Sequence, residues 1–170
     1  SGNADLDPGS RNNNFTATGY FDMYIYKLST DGSFIWAKQI GGISGAAVAG
    51  YSINLDPSGN VYTTGDFIGT FGGTGTIDFD PGPGVYNLTE GGYGDAFVSK
   101  LNPDGNFIWA KQMAAVDTAS STSYSLALDA SGNIYTTGHF EGTVDFDPGN
   151  NTYFLTASGT ADMFVHKMSK

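Results

Sequence analysis

Paired aspartates recur at three places in the chain, and carboxylate pairs of this kind could ligate a cation. Each pair lies in an Asp-x-Asp-Pro-Gly element, and the six residues are Asp5 and Asp7, Asp78 and Asp80, and Asp145 and Asp147. Alternation along a strand places both side chains of a pair on one face, and Ca²⁺ prefers several hard oxygen ligands. The pairs therefore suggest calcium sites. We favour the simpler role of hydrogen-bonding the Pro-Gly turn, and we expect no other cofactor.

The other reactive side chains give little indication of an active site. Carboxylate pairs also serve glycoside hydrolysis, but such a site is normally single and these pairs recur. The chain has no cysteine, which excludes a thiolate nucleophile, a zinc-thiolate centre and a disulfide scaffold. Its two histidines, His139 and His166, do not recur at equivalent positions, and no nucleophile and base stand out together. We therefore predict that the chain is not an enzyme.

Composition narrows the class of protein further. The chain has 170 residues, with 7 basic and 17 acidic side chains and a formal net charge of −10. This charge opposes binding to nucleic acid. No apolar run approaches the roughly 20 residues that a membrane-spanning helix needs. The 25 glycines and the 14% of aromatic residues together indicate a folded protein with many turns and strands.

An internal repeat organises the whole chain. Residues 95–112 repeat residues 22–39 at an offset of 73, and residues 125–138 repeat residues 52–65 at the same offset. The Asp-x-Asp-Pro-Gly element recurs first after 73 residues and then after 67. The first unit therefore carries six extra residues, which fall at 71–76. Two complete units and the beginning of a third follow from this spacing.

Each unit contains short strands between turn signals. In the first unit these are residues 23–28, 34–40, 51–55 and 61–64, and Asp31-Gly32 is a hairpin signal. Four antiparallel strands repeated in tandem are typical of a propeller blade. We therefore predict an all-β protein of tandem four-stranded antiparallel propeller-like blades, about two complete repeats plus part of a third.

The repeat also suggests three divisions of the chain. Repeat 1 is residues 1–77, a hairpin plus a four-stranded blade; repeat 2 is residues 78–144; and residues 145–170 form part of repeat 3.

The turn and strand motifs resemble those of a known family. Residues 56–65 and 129–138 are similar to the bacterial SBBP-type β-propeller repeat, and Asp95, Lys100 and Trp109 match its later part. The resemblance implies a propeller and says little about chemistry. The inserted Asp-x-Asp-Pro-Gly hairpin resembles long surface repeat proteins of Bacteroidota. It implies a secreted protein, located outside the cell or on its surface.

Sites of modification are a separate prediction. Thr118, within Asp-Thr-Ala, resembles the acceptor of O-glycosylation in Bacteroidota. Asn14, Asn87 and Asn150 each begin an Asn-x-Thr sequon. Chance is the alternative explanation for these sequons, and two of the three also follow from the repeat.

Six aromatic residues at repeat positions are predicted to pack between blades, although sugar stacking is an alternative for the tryptophans. They are Phe34, Trp36, Tyr62, Phe107, Trp109 and Tyr135.

The end of the repeat predicts an assembly surface. A closed propeller usually needs four to eight blades, and an unpaired edge strand attracts another strand. The last strand stops before its Phe-Ile-Trp partner, and its residues are Met163, Phe164, Val165, His166, Lys167 and Met168. We expect the missing blades to come from a longer parent chain or from other copies, which would form a ring or a filament.

The favoured function is therefore a non-catalytic extracellular structural repeat protein. Its blades would complete a larger propeller or assemble into a surface polymer. The alternatives are an adhesion module that binds carbohydrate or protein, and an accessory propeller of a larger secreted enzyme.

Overall fold

The computed structural model describes residues 2–42, 45–70 and 75–169, and all regular structure in these ranges is β-strand. Part of the six-residue insertion predicted at 71–76, residues 71–74, lies outside the described residues. In chain order the strands are β1 (Asn3–Asp5), β2 (Asn14–Thr16), β3 (Met23–Leu28), β4 (Phe34–Gly42), β5 (Ala47–Leu55), β6 (Val61–Ile68), β7 (Thr76–Asp78), β8 (Asn87–Thr89), β9 (Asp95–Leu101), β10 (Phe107–Ala115), β11 (Ser120–Leu128), β12 (Ile134–Glu141), β13 (Thr143–Asp145), β14 (Phe154–Thr156) and β15 (Asp162–Met168).

One complete blade lies at the centre of the chain. Strands β5, β6, β9 and β10 pair in that order, and every pairing is antiparallel. The two inner strands, β6 and β9, are buried along almost their whole length. This burial on both faces explains why their residues do not alternate simply between apolar and polar. We call this sheet blade 2.

Within the described ranges, the blades on the two sides of blade 2 each have fewer than four blade strands. Blade 1 contains β3 and β4, which correspond to the third and fourth strands of blade 2. Blade 3 contains β11, β12 and β15, which correspond to its first three strands. The all-β fold of repeated antiparallel blades is thus confirmed.

The grouping of strands differs from the division at residues 1–77. The four strands that were predicted to form one blade there are split between two sheets, because β4 pairs with β7 and β6 pairs with β9. A periodic sequence defines the length of a repeat but not the strand at which a sheet begins. The sheets are therefore out of phase with the sequence repeats.

The Asp-x-Asp-Pro-Gly segments form hairpins that reach the preceding blade. Strand β7 of the hairpin β7–β8 pairs with β4, where Gly41 lies opposite Asp78. Strand β13 of the hairpin β13–β14 pairs with β10, where Ala114 lies opposite Asp145. In sequence, each hairpin lies between the second and third strands of one blade. In space, it pairs with the end of the fourth strand of the preceding blade. The first copy, β1–β2, pairs only with itself within the described ranges.

Two apolar clusters hold the blades together. The first joins blades 1 and 2 and includes Ile25, Phe67 and Phe97. The second joins blades 2 and 3 and includes Val98 and Leu126. Since the cores lie between the sheets, each blade depends on its neighbour for burial. In the part of the chain that the structure describes, no helix has the length and apolar character needed to cross a membrane.

Candidate functional site

The aspartate pairs bond the turns of their own hairpins. Asp78 Oδ1 accepts the backbone N–H groups of Asp80 at 3.0 Å and of Tyr86 at 2.8 Å. Asp80 Oδ1 accepts the N–H of Gly82 at 2.8 Å. The carboxylates thus accept hydrogen bonds from backbone N–H groups of the Pro-Gly turn.

The other two hairpins repeat this pattern. Asp145 accepts two backbone N–H groups and Asp147 accepts that of Gly149. Asp5 and Asp7 do the same in the first hairpin. Among residues 2–42, 45–70 and 75–169, no three His, Asp or Glu side chains form a group that could hold a metal ion. The geometry therefore gives these pairs a structural role, and calcium binding stays a prediction.

A buried carboxylate joins the third and fourth strands of blade 2. Asp95 is fully buried and accepts the N–H of Ala115 at 2.8 Å and of Gly91 at 3.0 Å. It also accepts a hydrogen bond from Gln112 Nε2 at 3.1 Å. Burial raises the pKa of Asp95 to about 6, against the opposing effect of the two backbone N–H groups. We call the pair of a carboxylate on the third strand and a glutamine on the fourth the Asp–Gln clasp.

The clasp recurs in blade 1 and is half present in blade 3. In blade 1, Gln39 Nε2 donates to Asp22 and to the carbonyl oxygen of Thr16. In blade 3 the equivalent carboxylate is Asp162, which bonds Ser158 alone among the described residues. In the part of the chain that the structure describes, blade 3 has no fourth strand to carry the glutamine. Sequence reasoning missed the clasp, although both residues recur at a constant spacing of 17.

The predicted aromatic residues contribute unequally to packing. Tyr62 is buried, whereas the other five are partly exposed: Phe34, Trp36, Phe107, Trp109 and Tyr135. Trp36 Nε1 of blade 1 donates to the carbonyl oxygen of Pro103 in blade 2 at 3.1 Å, and Lys27 Nζ donates to the same oxygen at 3.0 Å. This loop contact ties the two blades together.

The tryptophan of blade 2 lies against a tyrosine and a lysine. The ring centroids of Trp109 and Tyr62 are 6.1 Å apart in an edge contact, and Lys100 Nζ lies 4.7 Å from the centroid of Tyr62. In blade 3 the equivalent Lys167 Nζ lies 5.4 Å from the ring of Tyr135. The tyrosine and lysine of this contact are thus present in blade 3, and its fourth-strand tryptophan is absent from the described residues.

The predicted assembly strand presents only one of its faces. Phe164 and Met168 are buried and His166 is partly buried, so three of the six residues predicted to form the assembly surface are not exposed. Alternation along β15 turns these three side chains inward. The remaining residues of the strand, Met163, Val165 and Lys167, are exposed.

Equivalent positions in blade 2 show what normally covers this face. Met163 and Val165 are 82% and 79% exposed, whereas Ala96 and Val98, 67 residues earlier, are 0% and 2% exposed. Ala96 and Val98 lie in the cluster between blades 2 and 3. The face of β15 is therefore the face that a following blade covers.

The opposite end of the chain shows the same relationship. Leu126 on β11 is 5% exposed, whereas its equivalent Ile53 on β5 is 58% exposed. Blade 2 covers Leu126, but blade 1 has no first or second strand among the described residues to cover Ile53. Among the described residues, nothing covers the outer face of β15 or the face of β5 that carries Ile53.

A cluster of polar and aromatic residues lies on the first two strands of blades 2 and 3. The rings of Tyr51 and Tyr124 are 5.6 Å apart, and Tyr124 stacks on His139 at 5.5 Å. Burial raises the pKa of Asp66, and burial together with Asp66 raises the pKa of Tyr51 to about 12. The sequence places Asp66 at the position equivalent to His139, but it did not predict that the two residues lie near the same pair of tyrosines.

His166, the other histidine, lies apart from this cluster. Its ring is 6.3 Å from Phe146, and burial lowers its pKa.

The predicted modification sites are accessible. Thr118 is exposed in the turn between β10 and β11, where Asp117 has a φ of 56°. Asn14, Asn87 and Asn150 are also exposed. Exposure is necessary for glycosylation and leaves the modification a prediction.

The blades and the contacts between them define a propeller-type repeat protein. Residues 35–66 match the SBBP family model, which is described as a beta-propeller repeat. Over 121 residues the chain is 27% identical to the "Uncharacterized WD repeat-containing protein L264" of Acanthamoeba polyphaga mimivirus. That alignment covers 66% of this chain and 8% of the viral protein, so the chain spans a small part of that relative's length. The resemblance to a propeller repeat is confirmed for the matched residues.

Proposed function

We propose that the chain is a non-catalytic structural segment whose blades are completed by further blades of the same kind. The observation that carries this proposal is the contrast between Met163 and Val165, which are exposed, and Ala96 and Val98, which are buried. Apolar side chains at these positions are covered wherever a following blade exists. Contiguous apolar surface of this kind marks a site of interaction.

The setting that we propose is extracellular, on the cell surface or in a surface polymer such as a filament. Support comes from the resemblance of the inserted hairpin to surface repeats of Bacteroidota and from the exposed Thr118, which could carry a glycan. The completing blades belong either to the rest of a longer chain or to other copies. A heterologous contact between copies gives a ring if it closes and a filament if it does not.

An adhesion module that binds carbohydrate or protein is the second candidate. Tyr20 and Tyr93 occupy equivalent positions before the third strands of adjacent blades, and both are exposed. Phe21 packs edge-on against Tyr20 at 4.8 Å. Exposed aromatic rings of this type can stack on ligands. A glycan array without a hit, in calcium and in chelator, would count against this candidate. The third candidate, an accessory propeller of a secreted enzyme, depends on residues outside this chain.

One added repeat tests the proposal directly. Residues 102–168 are duplicated after Met168, so that a fourth strand follows β15 and a new blade covers its face. We expect the free energy of unfolding to rise and the amide protons of β15 to become protected from exchange. A Gly-Ser extension of equal length is the control. If the added repeat folds and leaves β15 as exposed as the control does, the proposal is wrong.

A further inference from the structure

Two side-chain arrangements lie beside the free edge of β15 and are only partly formed there. The same two arrangements are complete elsewhere in the chain. Strand β12 occupies one edge of β15, and within the described ranges the other edge has no partner strand. The corresponding edge of β9 is covered by β10, and that of β3 is covered by β4. Both covering strands begin with Phe-Ile-Trp-Ala-Lys-Gln. The chain itself therefore shows what covers this edge.

We propose that β15 and the groups beside it form an acceptor site for one extended strand of a further repeat. The site selects this strand by a tryptophan and by a glutamine three residues after the tryptophan. The inference rests on the proposed function, since it names the partner of the same open face.

The glutamine is selected by Asp162. In blades 1 and 2, the glutamine amide donates to the equivalent carboxylates, Asp22 and Asp95. Asp162 keeps its bonds to Ser158, the equivalent of Gly91, but its glutamine is absent from the described residues. A hydrogen bond to a charged carboxylate is among the stronger ones in proteins. Asp162 is thus positioned to distinguish strands with and without this amide.

The tryptophan is selected on the opposite face of the strand. Residues three apart along a strand point to opposite sides, so the arriving strand is held on both faces. In blade 2 the indole of Trp109 lies edge-on to Tyr62, beside Lys100. In blade 3 the same tyrosine and lysine are Tyr135 and Lys167. The arriving indole would pack against this pair.

The register of the arriving strand follows from blade 2. There Phe97 lies opposite Gln112, and Lys100 lies opposite Trp109. Transferred by 67 residues, this register puts the arriving glutamine opposite Phe164 and the arriving tryptophan opposite Lys167. A shift by one residue would reverse the faces of both side chains. The two selected residues therefore also set the register.

A labelled peptide of residues 106–115 tests the site with the chain as it exists. We expect saturable binding by fluorescence anisotropy, with affinity reduced about tenfold or more when the peptide carries Gln112→Ala or Trp109→Ala. These peptide changes leave the chain unaltered, so they do not depend on the folding of a variant. In the chain, Asp162→Asn should weaken binding of the unmodified peptide. Asp22→Asn, in the complete clasp of blade 1, is the matched control and should not weaken it.

Three results would overturn the inference: no binding, equal binding of all three peptides, or dimers that pair through β15 and exclude the peptide. If the added repeat protects β15 from exchange but the peptide does not bind, the proposed function stands and this inference is rejected.

Discussion

Gln112 Nε2 donates to Asp95 over 3.1 Å, and this hydrogen bond joins the fourth strand of blade 2 to the first residue of the third. The same amide donates to the carbonyl oxygen of Thr89 at 3.0 Å, at the end of the inserted hairpin. The Gln112 side chain therefore joins β10 both to the end of β8 and to the start of β9. Without Gln112 the fully buried Asp95 carboxylate would lose one of its three hydrogen-bond donors, so this polar contact adds to apolar packing in joining the two strands.

Asp95 makes stability depend on pH in a definite direction. Its pKa in the folded chain is about 6, above the ordinary value of 3.8. Between these values the folded state binds more protons at Asp95 than the unfolded state does, so the stability that Asp95 contributes is fully present below about 3.8 and is lost as pH rises through about 6. The loss should be on the order of 2–3 kcal/mol. Asp95→Asn does not titrate and should lack this contribution.

Urea unfolding of both chains from pH 3.5 to pH 7 gives the measurement. The difference between the two curves isolates Asp95 from the carboxyls of Asp56 and Asp129, whose pKa values are lowered by hydrogen bonds. Parallel curves would show that the pKa of Asp95 is not raised.

Because Ile53 lies on an open face, truncating it should reduce the free energy of unfolding less than truncating its equivalent, Leu126. Leu126→Ala removes a buried side chain from the cluster between blades 2 and 3 and should lower the free energy of unfolding by about 2–5 kcal/mol. Ile53→Ala removes an exposed one and should cost less than about 1 kcal/mol. Chemical denaturation of both variants measures the two costs. Equal losses would mean that Ile53 is covered in solution.

Trp36 should join blade 1 to blade 2. Trp36→Phe removes the hydrogen bond to Pro103 and part of the ring while keeping an aromatic side chain, and it should cost about 1–2 kcal/mol. Trp36→Ala also removes the packing and should cost about 3 kcal/mol. Ile35, its exposed neighbour on the same strand, provides the control Ile35→Ala. Thermal unfolding that ranks the three variants differently would reject this contact as a link between blades.

The aspartate pairs should stabilise turns without calcium. Asp78→Ala leaves two backbone N–H groups without their acceptor and should cost about 1–2 kcal/mol. Asp78→Asn keeps the accepting oxygen and should cost less than half as much. Chelator should leave the melting temperature unchanged. A rise in melting temperature with Ca²⁺, lost equally in both variants, would instead establish a calcium site.

Much of the fold could be predicted because its signals are local. The Asp-Pro-Gly turns and the strand around Phe-Ile-Trp-Ala-Lys-Gln are short motifs, and their periodicity identified the repeat. The phase of the sheets could not be predicted, because β6 pairs with β9 across an inserted hairpin. Nor could the burial of Asp95, since a carboxylate at the start of a strand is usually exposed. Alternation implies that one face of β15 points inward, whereas the predicted assembly surface included all six of its residues.

Hydrogen exchange on the unmodified chain, at a concentration where light scattering gives a monomer, tests the central claim that blade 2 is closed and blade 3 is open. Strand β9 has partners on both edges, whereas β15 has one on a single edge within the described ranges. Alternate amides of β15 should therefore exchange much faster than the equivalent amides of β9. Equal protection along both strands would contradict that claim.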